Sequence, residues 1–329
     1  SGFPEPEAVI VLVGGKEAKA LLFCREKDEE REVWDGFRYG PQTAAEAFGF
    51  CEAYPIASLE GKLPELIANR GVLWHSLGHD AEWDGRIATA LNRIREQGRS
   101  GIRAPTEIRD LRSLLDDMRL TKDAHEIDCM RRAADIASAG HARAMRACRP
   151  GMAEYELEAE LTYEFRRRGA DGHAYTPIVA GGVNACILHY VENNKLLAAH
   201  SLVLIDAGCE LSGYASDITR TFPVGGRFST LQREVYEIVL AAQQAAIDAV
   251  RPGTPFMDYH QAALRVLAQG LIDLKVIGGS VEGAVESEAY KPWYMHRTGH
   301  WLGLDVHDVG DYRNGPDEND WTRLVPGMT

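Results

Sequence analysis

The order of apolar and polar positions divides the chain into two regions with different grammar. Over residues 1 to about 115, short apolar runs at 8–13, 20–23 and 71–74 read as strands, and stretches around 59–69 and 82–97 carry helical periodicity. Strands alternating with helices predict an α/β domain over 1–115, in which nothing clusters like a catalytic site. From 116 to 329 long amphipathic helices dominate. The first, about 122–148, sets Ile127, Met130 and Ala134 on one face and stops at Arg149-Pro150-Gly151. A second carries Leu157, Leu161 and Phe165 and stops at Gly169. Strand-like runs follow at 174–180 and 186–190.

Two further apolar, β-branched runs each contain an aspartate: Leu204-Ile205-Asp206-Ala207-Gly208 and Tyr214-Ala215-Ser216-Asp217-Ile218-Thr219-Arg220. Ser212-Gly213 between them is a tight-turn pair, so the two runs predict one hairpin. A two-residue loop sets Leu211 opposite Tyr214 and Gly208 opposite Asp217. Asp206 and Asp217 then share a face as diagonal neighbours, roughly 7–8 Å apart at most. Two ionised carboxylates that close repel, and burying them is costly unless a cation lies between them. The blander alternative is that one Asp caps a turn and the other pairs with Arg220.

After the hairpin the plan repeats. Ser229 and Gln232 can form a capping box for a helix carrying Leu231, Val235, Ile238 and Val239. It ends at Arg251-Pro252-Gly253, 102 residues after the first such tripeptide. Beyond the first tripeptide, Met152-Ala153-Glu154-Tyr155 leads to Leu157 and Leu161. Beyond the second, Thr254-Pro255-Phe256-Met257-Asp258-Tyr259 leads to Leu264. A helix–turn–helix unit used twice predicts an internal duplication with a site between its halves.

Three of the eleven histidines, His296, His300 and His307, fall within twelve residues. The HxxxH spacing of a zinc-protease helix does not apply, because Arg297 stands where that helix has Glu and Gly299 disfavours a helix. With Gly303, an extended or turning segment is expected, from which the histidines project separately. His189 ends the apolar run Cys186-Ile187-Leu188-His189-Tyr190. Carboxylates joined by one or two imidazoles suit Mn²⁺, Mg²⁺ or Co²⁺ better than a thiolate zinc site does.

Composition narrows the function classes. The 329 residues exceed one ordinary core, and no run is long enough to span a membrane as a helix. A formal charge of −13 argues against binding a phosphate backbone or an anionic membrane. Six cysteines without a CxxC pair are the usage of reduced thiols in a cytoplasmic protein. The start, Ser1-Gly2-Phe3-Pro4, shows no targeting signal and no initiator Met, and the sequence stops at Pro326-Gly327-Met328-Thr329. Both ends are therefore expected to be cuts through a longer protein.

Three ordered stretches, Asp206-Ala207-Gly208-Cys209-Glu210, Ser216-Asp217-Ile218-Thr219-Arg220-Thr221-Phe222-Pro223 and Gly299-His300-Trp301-Leu302-Gly303-Leu304-Asp305-Val306-His307-Asp308-Val309-Gly310, resemble the bacterial aminopeptidase P (Xaa-Pro aminopeptidase) family. That family belongs to the creatinase/prolidase/methionine aminopeptidase superfamily. The resemblance covers essentially the whole chain. It implies a mixed α/β (α+β) fold, with a creatinase-like α/β domain over 1–115, truncated at its start. A pita-bread catalytic domain with a pseudo-twofold repeat would follow over 116–329, truncated at its C-terminus. It also implies two divalent ions, Mn²⁺ foremost: Asp206 would chelate one, Asp217 would bridge both, and His300 would be the sole imidazole ligand, on the ion that Asp206 does not hold. His189, His296 and His307 would be non-ligand histidines that bind substrate and stabilise the tetrahedral intermediate. Two further glutamate ligands are expected beyond Thr329, so residues 1–329 alone are expected to be inactive.

The implied activity is release of the N-terminal residue from peptides with proline second, by a hydroxide bridging the two ions. The implied setting is a cytoplasmic homodimer or homotetramer with no nucleic-acid or membrane partner. Two alternatives stay open: prolidase, which cleaves Xaa-Pro dipeptides, and a metal-free pita-bread relative acting as a binding module. The intact Asp206, Asp217 and His300 argue against the second.

Overall fold

Contacts within a computed structural model, which describes residues 2–329, separate the chain into two units, Ser1–Leu114 and Leu115–Thr329. In the first, the alternating run of β1 (Val9–Val13) pairs antiparallel with β2 (Lys19–Cys24), Val9 opposite Phe23, and β3 (Glu52–Pro55) adds in parallel on the other side of β2. Central β2 is accordingly buried from Leu21 to Cys24. Helices α1 (Glu29–Asp35), α2 (Gly40–Phe48), α3 (Leu59–Ile67) and α4 (Ala81–Glu96) alternate with β3, with β4 (Val72–Trp74) and with β5 (Glu107–Arg109), which lies parallel to β4. Asp80 opens α4 by accepting from the Glu82 and Trp83 amides. The stripe Ile87, Ala90, Leu91 and Ile94 then packs with Phe23, Leu59, Leu63 and Ile67.

Helix α5 (Leu111–Leu120) leads into the second unit. There Asp123 and Glu126 form a capping box that starts α6 (Ala124–Ala147), and α7 (Glu154–Arg167) packs against it. The buried stripe of α6 runs through Met130, Ala133, Ala137, Gly140 and Ala144. Ile127 and Ala134, expected on that face, are only half-buried. The stripe is turned toward the hairpin, where Cys209 Sγ meets the Ala133 carbonyl.

The expected hairpin is present in one continuous register. β9 (Cys209–Leu211) and β10 (Tyr214–Ala215) pair with Leu211 opposite Tyr214, and β8 (Leu202–Asp206) pairs with β11 (Thr219–Pro223), Asp206 opposite Thr219. Between these ladders the Ala207 amide donates to the Ile218 carbonyl (3.1 Å) and the Ser216 amide to the Cys209 carbonyl (2.9 Å). Ser212 and Gly213 both have positive φ (53° and 82°), as a type I′ turn requires.

β6 (Gly172–His173) and β7 (Ile178–Gly181) pair antiparallel with β9 and β8 respectively. One face of the β7–β8–β11 sheet, with Val179, Val203 and Ile205, packs on Ala133, Ala137, Leu157, Leu161 and Phe165. The opposite face carries Ile178, Ala180, Leu204 and Asp206, and Tyr190 packs on the first three. The run 186–190 is not a strand. After β7 the chain makes a 3₁₀ turn, Gly182–Cys186, and leaves Ile187 and Leu188 exposed. Side-chain hydrogen bonds rather than a neighbouring strand hold this loop.

The duplication extends to individual hydrogen bonds. α8 (Thr230–Ala249), opened by the Ser229–Gln232 capping box, and α9 (Asp258–Asp273) repeat the α6–α7 pair. Gly151 and Gly253 adopt φ of 85° and 89°, the left-handed conformation that glycine tolerates best. The Gly151 amide donates to the Leu197 carbonyl as the Gly253 amide does to Leu324, and the Glu154 amide donates to Lys195 as the Phe256 amide does to Thr322. Short α10 (Val281–Glu286) follows, and the rest of the chain is irregular around an aromatic cluster of Phe256, Trp301, Tyr259, Tyr312 and Trp321. Among the described residues no helix is long and apolar enough to cross a membrane.

Candidate active site

Asp206 ends β8 and Asp217 lies in the gap between β10 and β11, both half-buried. Gly208, across from Asp217 in the hairpin register, lets the strands close up there: a Cβ at this position would lie 1.6 Å from the Ser216 carbonyl oxygen. The third element is a bulge. Five steps along the chain from His173 to Ile178 span what three steps span on the partner, from Cys209 to Asp206. The extra residues bring Tyr175 to the aspartates, and its hydroxyl lies 2.5 Å from Asp206 Oδ1 and 2.9 Å from Asp217 Oδ1.

His300 comes from the second half of the unit, in a non-helical turn closed by the Asp308 amide donating to the Trp301 carbonyl (3.0 Å). The Ala215 amide donates to Gly303 (2.8 Å) and ties this turn to the hairpin. His300 Nδ1 lies 2.8 Å from its acceptor, the Trp301 carbonyl, and Nε2 is 3.1 Å from Asp217 Oδ2. The His307 ring stands edge-on to it, with centroids 4.3 Å apart. Beneath the turn, Lys122 and Arg119 both pair with Asp308, and the Lys122 and Asp308 side chains are almost completely buried.

The electrostatics follow from this crowding. Burial pushes the Asp206 carboxyl above the usual carboxylate range, and the like charge of Asp217 adds to it against the Tyr175 hydrogen bond. Burial also opposes ionisation of Asp217, but hydrogen bonds from His300 and Tyr175 outweigh it and hold that carboxyl low. The hydrogen bond to Asp217 raises His300. Burial and the two carboxylates raise the Tyr175 phenol, which therefore stays protonated.

Tyr175 is shared between the two carboxylates and His300 serves Asp217 alone, so two acidic side chains and one imidazole are linked through Asp217 and Tyr175. This donor set fits a hard or borderline divalent ion. The contacts seen are direct ones, and among the described residues no group of three or more His, Cys, Asp or Glu side chains is arranged as an ion cage.

Of the six residues singled out in the sequence, the structure gathers Asp206, Asp217, His300 and His307. His296 lies instead near Tyr294, with ring centroids 5.8 Å apart, and Tyr294 in turn stacks on His260. His189 is exposed in the loop after β7. Tyr175 escaped sequence reasoning; the available signal was Pro177, which marks a break inside a strand-like run.

Comparison with known proteins agrees along the whole chain. Residues 128–329 match the model of metallopeptidase family M24, and residues 1–74 match that of the aminopeptidase P N-terminal domain. The Xaa-Pro aminopeptidase of Escherichia coli is 42% identical over 330 residues, covering 100% of this chain and 74% of the relative. That of Haemophilus influenzae is 43% identical, covering 95% and 70%. The structure of Pseudomonas aeruginosa aminopeptidase PepP superposes with a TM-score of 0.96 at 50% identity, covering 99% of this chain and 74% of that one. Zn-substituted E. coli aminopeptidase P in complex with product superposes with a TM-score of 0.95 at 42% identity, over the same shares of each chain. The mixed helix-and-strand architecture is thus the pita-bread one expected. With its aspartates and imidazoles brought together from the two halves of one duplicated unit, the chain belongs to the aminopeptidase P family of metallopeptidases.

Proposed function

We propose that this chain is a metallo-aminopeptidase that releases the N-terminal residue from peptides with proline second. In this reading Asp206, Asp217 and His300 are three of the ligands for two divalent ions, and the two glutamates expected beyond Thr329 complete the set. One observation carries it: in a member of this family, Asp217 touches His300 Nε2 and shares the Tyr175 hydroxyl with Asp206, which gathers two half-buried carboxylates and an imidazole. The ions supply Lewis acidity and a water that ionises near neutral pH. The chain's own residues do the rest. Asp217, which touches His300 and shares Tyr175 with Asp206, stands to serve both ions, and Asp206 one. With its Nδ1–H donated to the Trp301 carbonyl, His300 would ligate through Nε2, the nitrogen that faces Asp217, once that nitrogen gives up its proton. His307 is the donor for the oxyanion of the scissile carbonyl, and His189 and His296 complete the substrate-facing set.

The reading takes Mn²⁺ as the working ion because carboxylate-rich mixed sites favour it over thiolate metals. It takes the cytoplasm as the setting, supported by six free cysteines. It takes a homo-oligomer as the working form, supported by the exposed apolar Val33, Trp34 and Phe37 that a second copy would cover. Assay of the whole Mn²⁺-loaded protein, with the two glutamate ligands expected beyond Thr329 in place, on a Xaa-Pro-Yaa tripeptide and a Xaa-Pro dipeptide tests it. Tripeptide cleavage is expected; cleavage of the dipeptide alone would make the enzyme a prolidase. Absence of bound metal with no hydrolysis would leave a binding module.

A further inference from the structure

The loop after β7 is held by a single buried carboxylate that the reaction does not use. Glu154, the first residue of α7, is fully buried and has no cationic partner among the described residues. It accepts four hydrogen bonds: from the Gly181 amide (2.8 Å), Asn184 Nδ2 (2.9 Å), the Tyr190 hydroxyl (2.8 Å) and the Lys195 amide (3.0 Å). The two amides are the two ends of the loop, and the two side chains lie within it. Burial alone would push this carboxyl up, but the four donors outweigh that and hold it below the usual carboxylate range.

Tyr190 links this anchor to the site. Its ring packs on Ile178, Ala180 and Leu204, the sheet face that also carries Asp206, and the residue before it is His189. The duplication supplies a control. By its matching hydrogen bonds, the counterpart of Glu154 is Phe256, which fills an ordinary apolar cluster. The shared turn therefore does not require a carboxylate at this position.

We propose that Glu154 is the positioning residue for His189: it closes the neck of the loop and sets Tyr190 down on the sheet, which fixes where the adjacent histidine is presented. This rests on the reading above that His189 binds substrate.

The test is a double-mutant cycle in the Mn²⁺-loaded holoenzyme with a Xaa-Pro-Yaa tripeptide. Glu154→Gln keeps the shape but turns an NH₂ against donors. It is expected to lower kcat/KM about 10-fold, as misplacement of a substrate-contacting group does, with metal content unchanged. In a His189→Ala background the same change should cost no more than about twofold, the limit of additivity error. Tyr190→Phe removes one donor and should give a smaller loss that likewise vanishes with His189→Ala. Limited proteolysis of the substrate-free protein should cut residues 182–195 faster in Glu154→Gln. If His189→Ala is impaired but the Glu154→Gln loss multiplies with it, or is absent, the positioning role is wrong. If His189→Ala alone is silent, the substrate role of His189 fails first and the proposal with it.

Discussion

The helix pairs α6–α7 and α8–α9 turn on the same tripeptide and repeat the same main-chain hydrogen bonds, yet they are packed very differently. α6 buries eight residues, and its pair lies against a sheet face of Val179, Val203 and Ile205. α8 buries only Ala242 and Ala246, against α9, and exposes Leu231, Val235, Val239, Leu240 and Ile247. Charge diverges too: Glu154 and Glu164 of the first pair correspond to Phe256 and Val266 of the second. A repeated sequence repeats caps and turns, because those depend on residues close along the chain. Burial and chemistry depend on what is laid against each copy. The aspartates follow the first pair and the imidazoles the second, so neither half holds the site alone.

The strongest test of that division removes the contact across it. Asp217→Ala should abolish hydrolysis and weaken retention of both ions, because this carboxylate touches His300 and shares Tyr175 with Asp206. Asp206→Ala should cost mainly one ion. Elemental analysis reads both, and two ions retained in the Asp217 variant would end the bridging role. On the imidazole side, His300→Ala should lose metal, whereas His307→Ala should keep it and turn over about 10²-fold more slowly, as loss of an oxyanion donor does. The reverse pattern would exchange their roles.

How far the sequence already indicated this arrangement depends on the range of the interactions involved. The hairpin register was readable because Ser212-Gly213 sets it locally, and the capping box at Ser229 is equally local. Tyr175 was not, because a two-residue bulge defined only by the partner strand decides its direction. Residues 186–190 read as a strand from their apolar content, but the anchor that prevents a strand, Glu154, lies more than thirty residues away. Likewise Leu231, Val235 and Val239 have core periodicity, and nothing local to them says what covers that face.

A smaller effect joins the halves from beneath. Lys122, just before α6, and Asp308, beside His307, form a buried ion pair. Gly303 lies so close that a Cβ there would fall 2.1 Å from Asp308 Oδ2. Lys122→Met leaves Asp308 to Arg119 alone and should cost about 3 kcal/mol in urea unfolding, the low end for a broken buried pair. A cost under about 0.5 kcal/mol, the scale of surface changes, would show that the pair does not brace the turn.

Glu164 sharpens the charge difference through pH. Hydrogen bonds from Arg167 and Arg168 lower its carboxyl to about 2. A depressed folded-state pKa gives stability that is complete above the unfolded value of about 4.3 and is lost as pH falls through the folded one. Between about pH 4.5 and 2 the contribution should therefore decline. Because the arginines are half-exposed, screening limits it to about 1 kcal/mol. Glu164→Gln should flatten that part of the stability-against-pH curve, and an unchanged acid slope would show that the arginines contribute nothing.

The smallest expected effect bears most directly on the two helix pairs. Val239 is 52% exposed on α8, whereas Leu161 of α7 is completely buried against the sheet. Leu161→Ala should cost about 2–5 kcal/mol, since it removes core contacts and leaves a cavity. Val239→Ala should stay within about 0.5 kcal/mol, because it deletes two methyl groups already in water and alanine is the better helix former. Urea unfolding of the two variants side by side measures the difference. If Val239→Ala cost as much as the core change, the α8 face would be covered in solution. The asymmetry between the copies would then belong to their surroundings rather than to the helices themselves.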